Sequence, residues 1–395
     1  MVAYTFYEAD NRVRRYAEAL AERGDEVDVI ALRRSNQPRL EFLKGVRVYR
    51  IQNRSIDEKG PLTYLPKLLL FLAKSAWMLV KKIFTKPYSV IHVHSVPDFE
   101  VFAAFIPRLF GSRVILDIHD IVPEFYASKF GVQASSGAFR ALALIEKVSI
   151  ACSDHVIISN HLWQEKLIAR SVEREKCMAL INYPNLSVFS RRANPRRSTD
   201  AFTLCYPGTL NQHQGVDIAV RAIARLRHTA PNLRFNIIGD GPERENLKSL
   251  IRQLEVSQQV SIQGFVPIES IAEVMAGVDL GIVPKRSNSF GNEAFSTKIM
   301  EFMAMGVPVL ASRTRIDEYY FNQELVEYFE PDNVEDLASK ILALMHDADR
   351  RKQLQRNSLV FIRENNWEEK KKIYLDLVDR LAQTASKTSA RAETA

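Results

Sequence analysis

The sequence predicts an α/β protein in which two doubly wound parallel sheets face a common cleft. A length of 395 residues suits two domains. Short apolar runs rich in valine and isoleucine recur along the chain, and helical patterns lie between them. Continuous apolar runs are typical of parallel strands that are covered on both faces. Because such sheets bind ligands beyond the carboxyl ends of their strands, two of them in tandem predict a binding cleft.

Eight apolar runs are predicted strands, and many of them end in Gly, Ser, His or Asp. Amphipathic patterns at 11–23 and 217–227 predict helices between the strands. This alternation of strand and helix predicts parallel α/β units. The runs are EVDVIAL (26–32), SVIHVHS (89–95), RVILDIHD (113–120), DHVIISN (154–160), FTLCYPG (202–208), RFNIIGD (234–240), DLGIVP (279–284) and VPVLAS (307–312).

The chain is predicted to divide near its middle. Two prolines and polar residues without periodicity predict a linker at 182–200. The linker separates a first domain at 1–181 from a second domain at 201–362. The last residues, 384–395, contain almost nothing to bury and predict an unstructured tail.

Composition excludes several protein classes. Apolar residues make up 46% and charged residues 26% of the chain, which excludes a disordered, collagen-like or coiled-coil protein. The three cysteines lack C-x2-C spacing, which argues against a disulfide framework and a structural zinc site. Cysteine usage suits a reducing compartment, and the opening MVAYTF lacks a signal-peptide pattern, so the expected location is the cytoplasm.

The positive charge lies in the first half of the chain. Residues 1–200 hold 30 basic and 21 acidic side chains, whereas the whole chain has a net charge of +7. This asymmetry predicts an anionic partner, unless it is chance scatter of solvated charges. A nucleic acid is disfavoured because stacking aromatics are not interleaved with the basic residues in a recognisable module. An anionic lipid surface is the candidate partner that remains.

The segment at 65–84, LPKLLLFLAKSAWMLVKKIF, bears on that partner. Its lysines make a membrane span too costly, so an amphipathic helix is predicted. Two placements stay open: the helix packs on its domain, or it lies partly in an anionic membrane interface at the inner face. The basic series for the second placement is Lys67, Lys74, Lys81, Lys82 and Lys86.

The densest cluster of candidate functional residues is FGNEAFSTKIMEFMAMGVPVLAS at 290–312. Ser296 or Thr297 is suited to cap a helix that starts at the cleft. Free backbone N–H groups at Phe295, Ser296 and Thr297, at the positive end of the helix dipole, are expected to hold a phosphate or diphosphate. Glu293 and Glu301 bracket this anion site, and ionised carboxylates are strong acceptors for sugar and ribose hydroxyls.

A plainer interpretation of the carboxylates also stays open. Glu301 lies three residues after Lys298 and could simply pair with it along the helix, while Glu293 is solvated.

These residues resemble the E-x7-E signature of retaining glycosyltransferases of family 4, which is followed here by MAMGVPVLAS. Four further elements resemble the family in order along the chain. They are the first helix and second strand (15–32), a glycine loop (206–220), a G-x-G-P turn (235–247) and a base-binding strand end (260–267). The resemblance extends to about residue 380.

The resemblance implies the GT-B fold, with two Rossmann-like domains and a last helix, about 363–383, that crosses back to the first domain. It implies transfer of a sugar from a nucleotide-diphosphate sugar, with retained anomeric configuration, to a glycan or lipid-linked acceptor in surface polysaccharide or glycoconjugate biosynthesis. No metal or other cofactor is implied. In agreement, the sequence has no His/Cys cluster with ligand spacing, and its one D-x-D lies in a polar helical stretch at 347–349.

The resemblance also assigns roles to single residues. It places Glu301 on the donor ribose, Glu293 on the transferred sugar, and Phe295 to Thr297 on the diphosphate. Val266 meets the base through its backbone, and Gly208 belongs to the glycine loop. His119 takes the place of the active-site histidine, although a histidine that caps local backbone is the alternative.

His92 and His94 alternate on one predicted strand, so both point to the same face, either core or cleft wall. A satisfied buried histidine is expected for at least one of them.

Two departures from the family pattern concern phosphate binding. The family's arginine after the loop glycine and its lysine five residues later are Thr209 and Gln214 here. The replacement charge is predicted first at Lys298, and otherwise at His213, Lys285 or Arg286. The family's Gly-Gly loop is absent at 7–16, where Arg12 or a helix start capped by Asp10 is expected to take over.

In the family this arginine and lysine clamp the donor diphosphate. Because that clamp is missing here, alternatives to a transferase stay open. A catalytically silent GT-B protein that binds a nucleotide sugar or a partner enzyme is one, and a nucleotide-sugar epimerase is another. The base, sugar, acceptor and linkage are not encoded in a readable motif.

Overall fold

The computed structural model describes the backbone of residues 1–54, 61–131, 133, 135–190, 201–287 and 290–393. The chain forms two compact units, one of Met1–Asn182 with Lys371–Ala395 and the other of Tyr183–Lys370. Each unit is a sheet of almost wholly parallel strands connected by helices. The predicted two-domain α/β class is therefore confirmed.

The sheet of the first unit has the order β3-β4-β2-β1-β5-β6-β7-β8, and within it β3 pairs antiparallel with β4. Its strands are β1 (Val2–Ala3), β2 (Val27–Arg33), β3 (Leu40–Leu43), β4 (Val46–Asn53), β5 (Val90–His94), β6 (Arg113–Ile118), β7 (His155–Ile158) and β8 (Cys177–Ala179). Its helices before the boundary are α1 (Asn11–Arg23), α2 (Pro61–Ile83), α3 (Phe105–Leu109), α4 (Val122–Phe130), α5 (Gly137–Ala151) and α6 (His161–Arg170).

The sheet of the second unit has the order β11-β10-β9-β12-β13-β14. Its strands are β9 (Phe202–Pro207), β10 (Leu233–Ile238), β11 (Val260–Gln263), β12 (Leu280–Val283), β13 (Val309–Ser312) and β14 (Glu327–Phe329). The helices that follow are α7 (Val216–Leu226), α8 (Arg244–Gln253), α9 (Ile268–Ala276), α10 (Thr297–Ala304), α11 (Arg315–Tyr320), α12 (Val334–His346), α13 (Ala348–Glu364) and α14 (Trp367–Glu393). All eight predicted strands are present.

The strand order indicates where each unit would bind a ligand. In the second unit β10 lies on one side of β9 and β12 lies on the other, so the loops after β9 and β12 diverge from a topological switch point. In the first unit the switch point lies between β1 and β5. Ligands of doubly wound sheets bind at such points, beyond the carboxyl ends of the strands.

Helix α1 has the predicted bounds because its ends are specified locally. The Asp10 side chain accepts hydrogen bonds from the backbone N–H groups of Arg12 and Val13. Gly24, at φ 98°, ends the helix in the left-handed conformation that glycine adopts without strain. The predicted cap at Asp10 is confirmed.

The structure refines the domain boundaries. Part of the predicted linker packs in the second unit, where Phe189 is buried and Trp367 donates its backbone N–H to the Pro184 carbonyl. Residues 191–200 lie outside the described residues. Helix α14 carries the chain from the second unit into the first and continues to Glu393, whereas the sequence predicts an unstructured tail from 384.

Helix α2 occupies most of the segment at 65–84. Leu68, Phe71 and Leu79 are buried along one side, so the helix packs on its own unit as the first of the two placements requires. Within the described part of the chain, none of the helices combines the length and apolar character needed to cross a bilayer.

Candidate active site

The glycine loop after β9 is shaped around Lys298. Gly208 donates its N–H to the Ile238 carbonyl at 2.8 Å and has φ 144°. A Cβ atom at this position would lie 2.2 Å from Lys298 Cε and 2.9 Å from its Nζ. Glycine is needed at 208 because other residues adopt this φ only with strain, and any side chain here would also displace the end of Lys298.

Lys298 brings an ammonium group to the place of the missing clamp. Its Nζ donates to Gln214 Oε1 at 3.3 Å, and Gln214 is the position of the family's lysine. Nζ also lies 5.2 Å from the centre of the Tyr206 ring. Burial lowers the pKa of Lys298 to about 8, although the nearby charge of Glu301 opposes that shift. The positive charge beside position 214 is thus supplied by helix α10 and not by a residue of the glycine loop.

The location of Lys298 is unfavourable without an anion. Lys298 is the second residue of α10, where the positive end of the helix dipole repels a cation by about 0.3 to 1 kcal/mol. A helix start and a lysine together create positive potential at the switch point. A bound anion would offset both, and violations of local helix rules are typical of functional sites.

Two other predicted sources of positive charge, Lys285 and Arg286, pair with carboxylates of their own unit. Lys285 is buried, pairs with Asp317 at 2.8 Å and donates to the Ala294 carbonyl at 2.9 Å. Arg286 forms two hydrogen bonds with Asp217, at 2.8 and 2.7 Å. Lys285 therefore anchors the turn before α10, and neither residue supports its prediction as a phosphate ligand.

His213 lies in the glycine loop beside the clamp position. Its Nε2 is 3.0 Å from Gln214 Nε2, and Tyr206 donates its hydroxyl to Gln214 Oε1 at 3.1 Å. Burial and the neighbouring lysines lower the pKa of His213. A neutral imidazole can donate to an anion but brings no charge, so Lys298 remains the first candidate. Thr209 lies in the same loop, and its carbonyl oxygen, 2.9 Å from the Tyr206 hydroxyl oxygen, shares the single proton of that hydroxyl with Gln214 Oε1.

The start of α10 is the place at which the sequence predicts an anion site. Ser296 occupies the N-cap position before Thr297, but its side chain makes no capping hydrogen bond. Its Oγ is buried without a hydrogen-bond partner among the described residues. The Phe295 ring packs edge-on against Tyr320 at 4.9 Å and fixes the turn. Ser296 leaves the first N–H groups of the helix uncapped, and such groups need a partner.

Of the two signature carboxylates, one precedes this helix and the other lies inside it. Glu293 is only 8% exposed and lies 3.4 Å from an Arg315 guanidinium nitrogen, so the interpretation of Glu293 as a solvated side chain is not supported. Glu301 lies within α10, and its charge acts on Lys298. Val266 is half-buried three residues beyond the end of β11, rather than at the strand end itself. Their contacts with a donor stay predictions.

The first unit contains a separate polar cluster at the end of β5 and β6. His94 is in register with Asp117, and His119 follows two residues later. Asp117 is fully buried and accepts from Arg12 at 2.8 and 2.7 Å. Burial alone would raise the pKa of Asp117, but the charge of Arg12 and hydrogen bonds from both histidines hold it well below its usual range. Arg12 is thus bound to Asp117, which corrects the expectation that it replaces the phosphate loop.

His119 lines a cavity of about 190 Å³ in this unit. Its Nε2 lies 3.4 Å from Asp117 Oδ2 and 3.2 Å from His94 Nδ1, so the ring is held by side chains and does not cap local backbone. His92 is also buried, and its Nδ1 lies 3.0 Å from the Tyr374 hydroxyl. The sequence argument missed Asp117, although the parallel pairing of the two predicted strands would have brought it beside His94.

Comparisons with known proteins identify the chain's relatives. The family described as "Glycosyl transferases group 1" matches residues 189–359, and "Glycosyl transferase 4-like domain" matches residues 9–182. An uncharacterized glycosyltransferase of Methanocaldococcus jannaschii is 27% identical over 309 residues, which is 75% of this chain and 74% of the relative. The gpi3 subunit of phosphatidylinositol N-acetylglucosaminyltransferase from Schizosaccharomyces pombe is 21% identical over 86% of this chain and 70% of its own.

A solved structure has the same fold. HepE of Anabaena, in complex with UDP-glucose, is similar to this chain with a TM-score of 0.68 at 16% identity, and the match covers 99% of this chain and 98% of HepE. The likeness shows a shared fold of two parallel α/β domains. Because the two family matches together span almost the whole chain, this protein belongs to the group 1 glycosyltransferases and has the GT-B fold.

Proposed function

We propose that the protein is a retaining glycosyltransferase that moves a sugar from a nucleotide-diphosphate sugar to a glycan or lipid-linked acceptor, in surface polysaccharide or glycoconjugate biosynthesis. The observation that carries the proposal is the Lys298 ammonium group beside Gly208, at the uncapped start of α10. Glu293 and Glu301 flank that helix start. A diphosphate is the leaving group that such a site suits, because its negative charge increases as the bond to the sugar breaks.

Each group has a distinct part in this mechanism. Lys298 and the first N–H groups of α10 stabilise the departing diphosphate without a metal ion. Glu301 accepts from ribose hydroxyls, and Glu293 orients the transferred sugar. His119 orients a sugar hydroxyl, and the backbone at Val266 binds the base. These four assignments come from the family resemblance.

The position of Lys298 favours an enzyme over a silent binding protein. The silent alternative rests on Thr209 and Gln214, which replace the family's arginine and lysine. Since Lys298 donates to Gln214, the site keeps a cation where the family has one. A nucleotide-sugar epimerase shares the fold and remains the third candidate.

A panel of nucleotide-diphosphate sugars separates these functions. UDP-glucose, the ligand bound in HepE, is the first donor to test, alongside donors with other bases and sugars. A donor at 100 times its Kd raises the free energy of unfolding by about 2.7 kcal/mol, which a thermal shift detects. We expect nucleotide release that depends on acceptor, and a product whose anomeric configuration matches the donor. Binding without release would favour the silent protein, and release of an epimer of the donor would favour the epimerase.

We further propose that the first unit docks on an anionic membrane at the cytoplasmic face, where a lipid-linked acceptor would be presented. Helix α2 exposes Leu70 and Trp77 on one face, and Phe84, one residue beyond the end of the helix, is exposed at the same seven-residue interval. The neighbouring helix α3 adds an exposed apolar surface of its own, made by Phe105, Ile106, Leu109 and Phe110.

Basic side chains border this apolar face. Lys67, Lys74 and Lys81 repeat at the same interval three residues before the apolar positions, and Lys81 lies 5.0 Å above the Trp77 ring. An apolar face bordered by lysines is typical of helices that lie in a membrane interface. Members of the predicted series also have partners within the unit: Lys74 donates to the Ile51 carbonyl at 3.4 Å, Lys82 pairs with Asp28, and Lys86 pairs with Glu26.

Vesicle co-sedimentation tests the membrane proposal. We expect binding to vesicles with anionic lipid that weakens as salt rises, because each basic residue near the surface adds on the order of 1 kcal/mol of screened attraction. Trp77→Glu should reduce the bound fraction. Phe42→Glu is the matched control, because Phe42 is equally exposed but lies on β3. Equal recovery in the supernatant with and without anionic lipid would refute docking.

A further inference from the structure

We propose that His94, Asp117 and His119 form a binding site for one divalent cation of the zinc class in the first unit. His119 also has a part in the proposed function, where it orients a sugar hydroxyl, but cation binding is measured on the chain without a donor, so the two proposals can fail separately. The sequence argument found no cluster with metal-ligand spacing, because the ligands come from two strands and only the fold brings them together.

The sheet presents the three ligand atoms at one point. Strands β5 and β6 are parallel neighbours, and His94 is paired with Asp117 across them. His119 lies just beyond the end of β6, two residues after Asp117. All three side chains therefore meet at the carboxyl end of the sheet, beside the switch point.

The distances match the edges of a coordination polyhedron. His94 Nδ1 lies 3.2 Å from Asp117 Oδ2 and 3.2 Å from His119 Nε2, and His119 Nε2 lies 3.4 Å from Asp117 Oδ2. Ligand atoms about 2.0 to 2.1 Å from a tetrahedral ion are separated by roughly 3.3 to 3.4 Å. An ion bound to all three would lie about 0.8 Å from the plane of the triangle.

Hydrogen bonds cannot satisfy all three edges of this triangle. If both histidines donate to Asp117, their nitrogens lie 3.2 Å apart with no hydrogen bond between them. If His94 donates to His119 instead, the accepting nitrogen carries no proton and cannot donate to Asp117 Oδ2, 3.4 Å away. A cation is attracted to all three atoms at once, because each then offers a lone pair.

The surroundings suit metal binding. Arg12 holds the Asp117 carboxylate through two hydrogen bonds, as outer groups commonly orient a ligand. The cavity lined by His94 and His119 also contains Asp10 and Asp120, which attract a cation and leave room for a water ligand.

The ligand set selects the class of ion. Two imidazoles and one carboxylate suit Zn²⁺ and Co²⁺, whereas Mg²⁺ and Ca²⁺ prefer sites made mostly of oxygen. Arg12 offsets the charge of Asp117, which further weakens binding of ions that depend on carboxylate charge. His92 is a fourth nitrogen nearby, with its Nε2 3.8 Å from Asp117 Oδ2 and no hydrogen-bond partner among the described residues.

Cobalt titration of the full chain, freed of metal by a chelator, tests the site. We expect visible absorption typical of a four-coordinate Co²⁺ ion, complete at one equivalent per chain and removed by Zn²⁺. His94→Gln should weaken Co²⁺ binding at least tenfold and lose the band. His346→Gln is the control, because His346 is exposed at the end of α12 and should leave the titration unchanged.

A second variant keeps the test decisive if His94→Gln fails to fold. His119 is 22% exposed, so His119→Gln should fold and should also lose the band. An absent band in the wild-type chain, an unchanged titration in His119→Gln, or equal competition by Mg²⁺ would each overturn the proposal. The readout is metal absorption, so it is independent of whether any donor sugar is found.

Discussion

Replacing Lys298 by alanine tests the core of the donor-site argument. Lys298 is the side chain that fills the space beside Gly208 and donates to Gln214. In the proposed complex its ammonium group turns to the donor diphosphate. Lys298→Ala removes that charge and leaves the rest of the glycine loop in place, so donor affinity should fall while the chain stays folded.

The expected loss follows from the kind of contact removed. A hydrogen bond to a charged group contributes about 1.5 to 3 kcal/mol, which corresponds to a rise in Kd of roughly 10- to 150-fold. Lys285→Ala should behave differently, because Lys285 pairs with Asp317 in the interior. Leaving a buried charge unpaired costs about 3 to 5 kcal/mol of folding free energy, so that variant should show a lower urea midpoint.

Calorimetric titration with the nucleoside diphosphate, at several pH values, measures both effects of Lys298. Burial lowers the pKa of Lys298 to about 8, so the charged form dominates below that pH and is lost above it. Wild-type affinity should fall as pH rises through this range, and Lys298→Ala should lack the step. Lys352→Ala, at an exposed lysine of α13, is the control. Full donor affinity in Lys298→Ala would refute this reasoning and place the compensating charge elsewhere.

Three further predictions concern the same site. Glu301→Ala should raise the donor Kd, because Glu301 is assigned to the ribose that all donors share. Glu293→Ala should mainly lower kcat, because Glu293 is assigned to the transferred sugar. Wild-type steady-state kinetics in both variants would contradict the signature. Gly208→Ala should lose donor binding by calorimetry and lower Tm, since the new Cβ meets Lys298 at 2.2 Å and the backbone has φ 144°; unchanged values would show that the loop adapts. Transferase activity should survive excess EDTA, and an enzyme silenced by EDTA and rescued by Mn²⁺ would rule out a metal-independent diphosphate site.

Much of the fold could be predicted because parallel strands leave a simple pattern. Strands covered on both faces are continuously apolar, and all eight such runs are strands in the structure. Strand β4, between the edge strand β3 and β2, does not show that pattern because its residues are alternately buried and half-exposed. Strand β1 has only two residues, too few for any periodicity.

The roles of the charged residues were harder to predict, because pairing depends on contacts between distant parts of the chain. Lys285 and Arg286 are candidates by sequence alongside Lys298, which is only ranked ahead of them. Only the fold brings Asp317 to Lys285 and Asp217 to Arg286, and so separates structural cations from the one at the clamp position. Arg12 is a similar case, since its partner Asp117 lies on a different strand.

The altered clamp illustrates how a switch point tolerates sequence change. The loops after β9 and β12 leave neighbouring strands at the same end of the sheet, so a cation can reach one point from either loop. A lysine at position 214 would extend from the loop after β9, and Lys298 extends to Gln214 from the helix that follows β12. In the proposed donor complex the diphosphate requires positive charge beside position 214, and a lysine from either loop can supply it. An absent motif residue therefore does not establish an absent function until the neighbouring loop has been examined for the same charge.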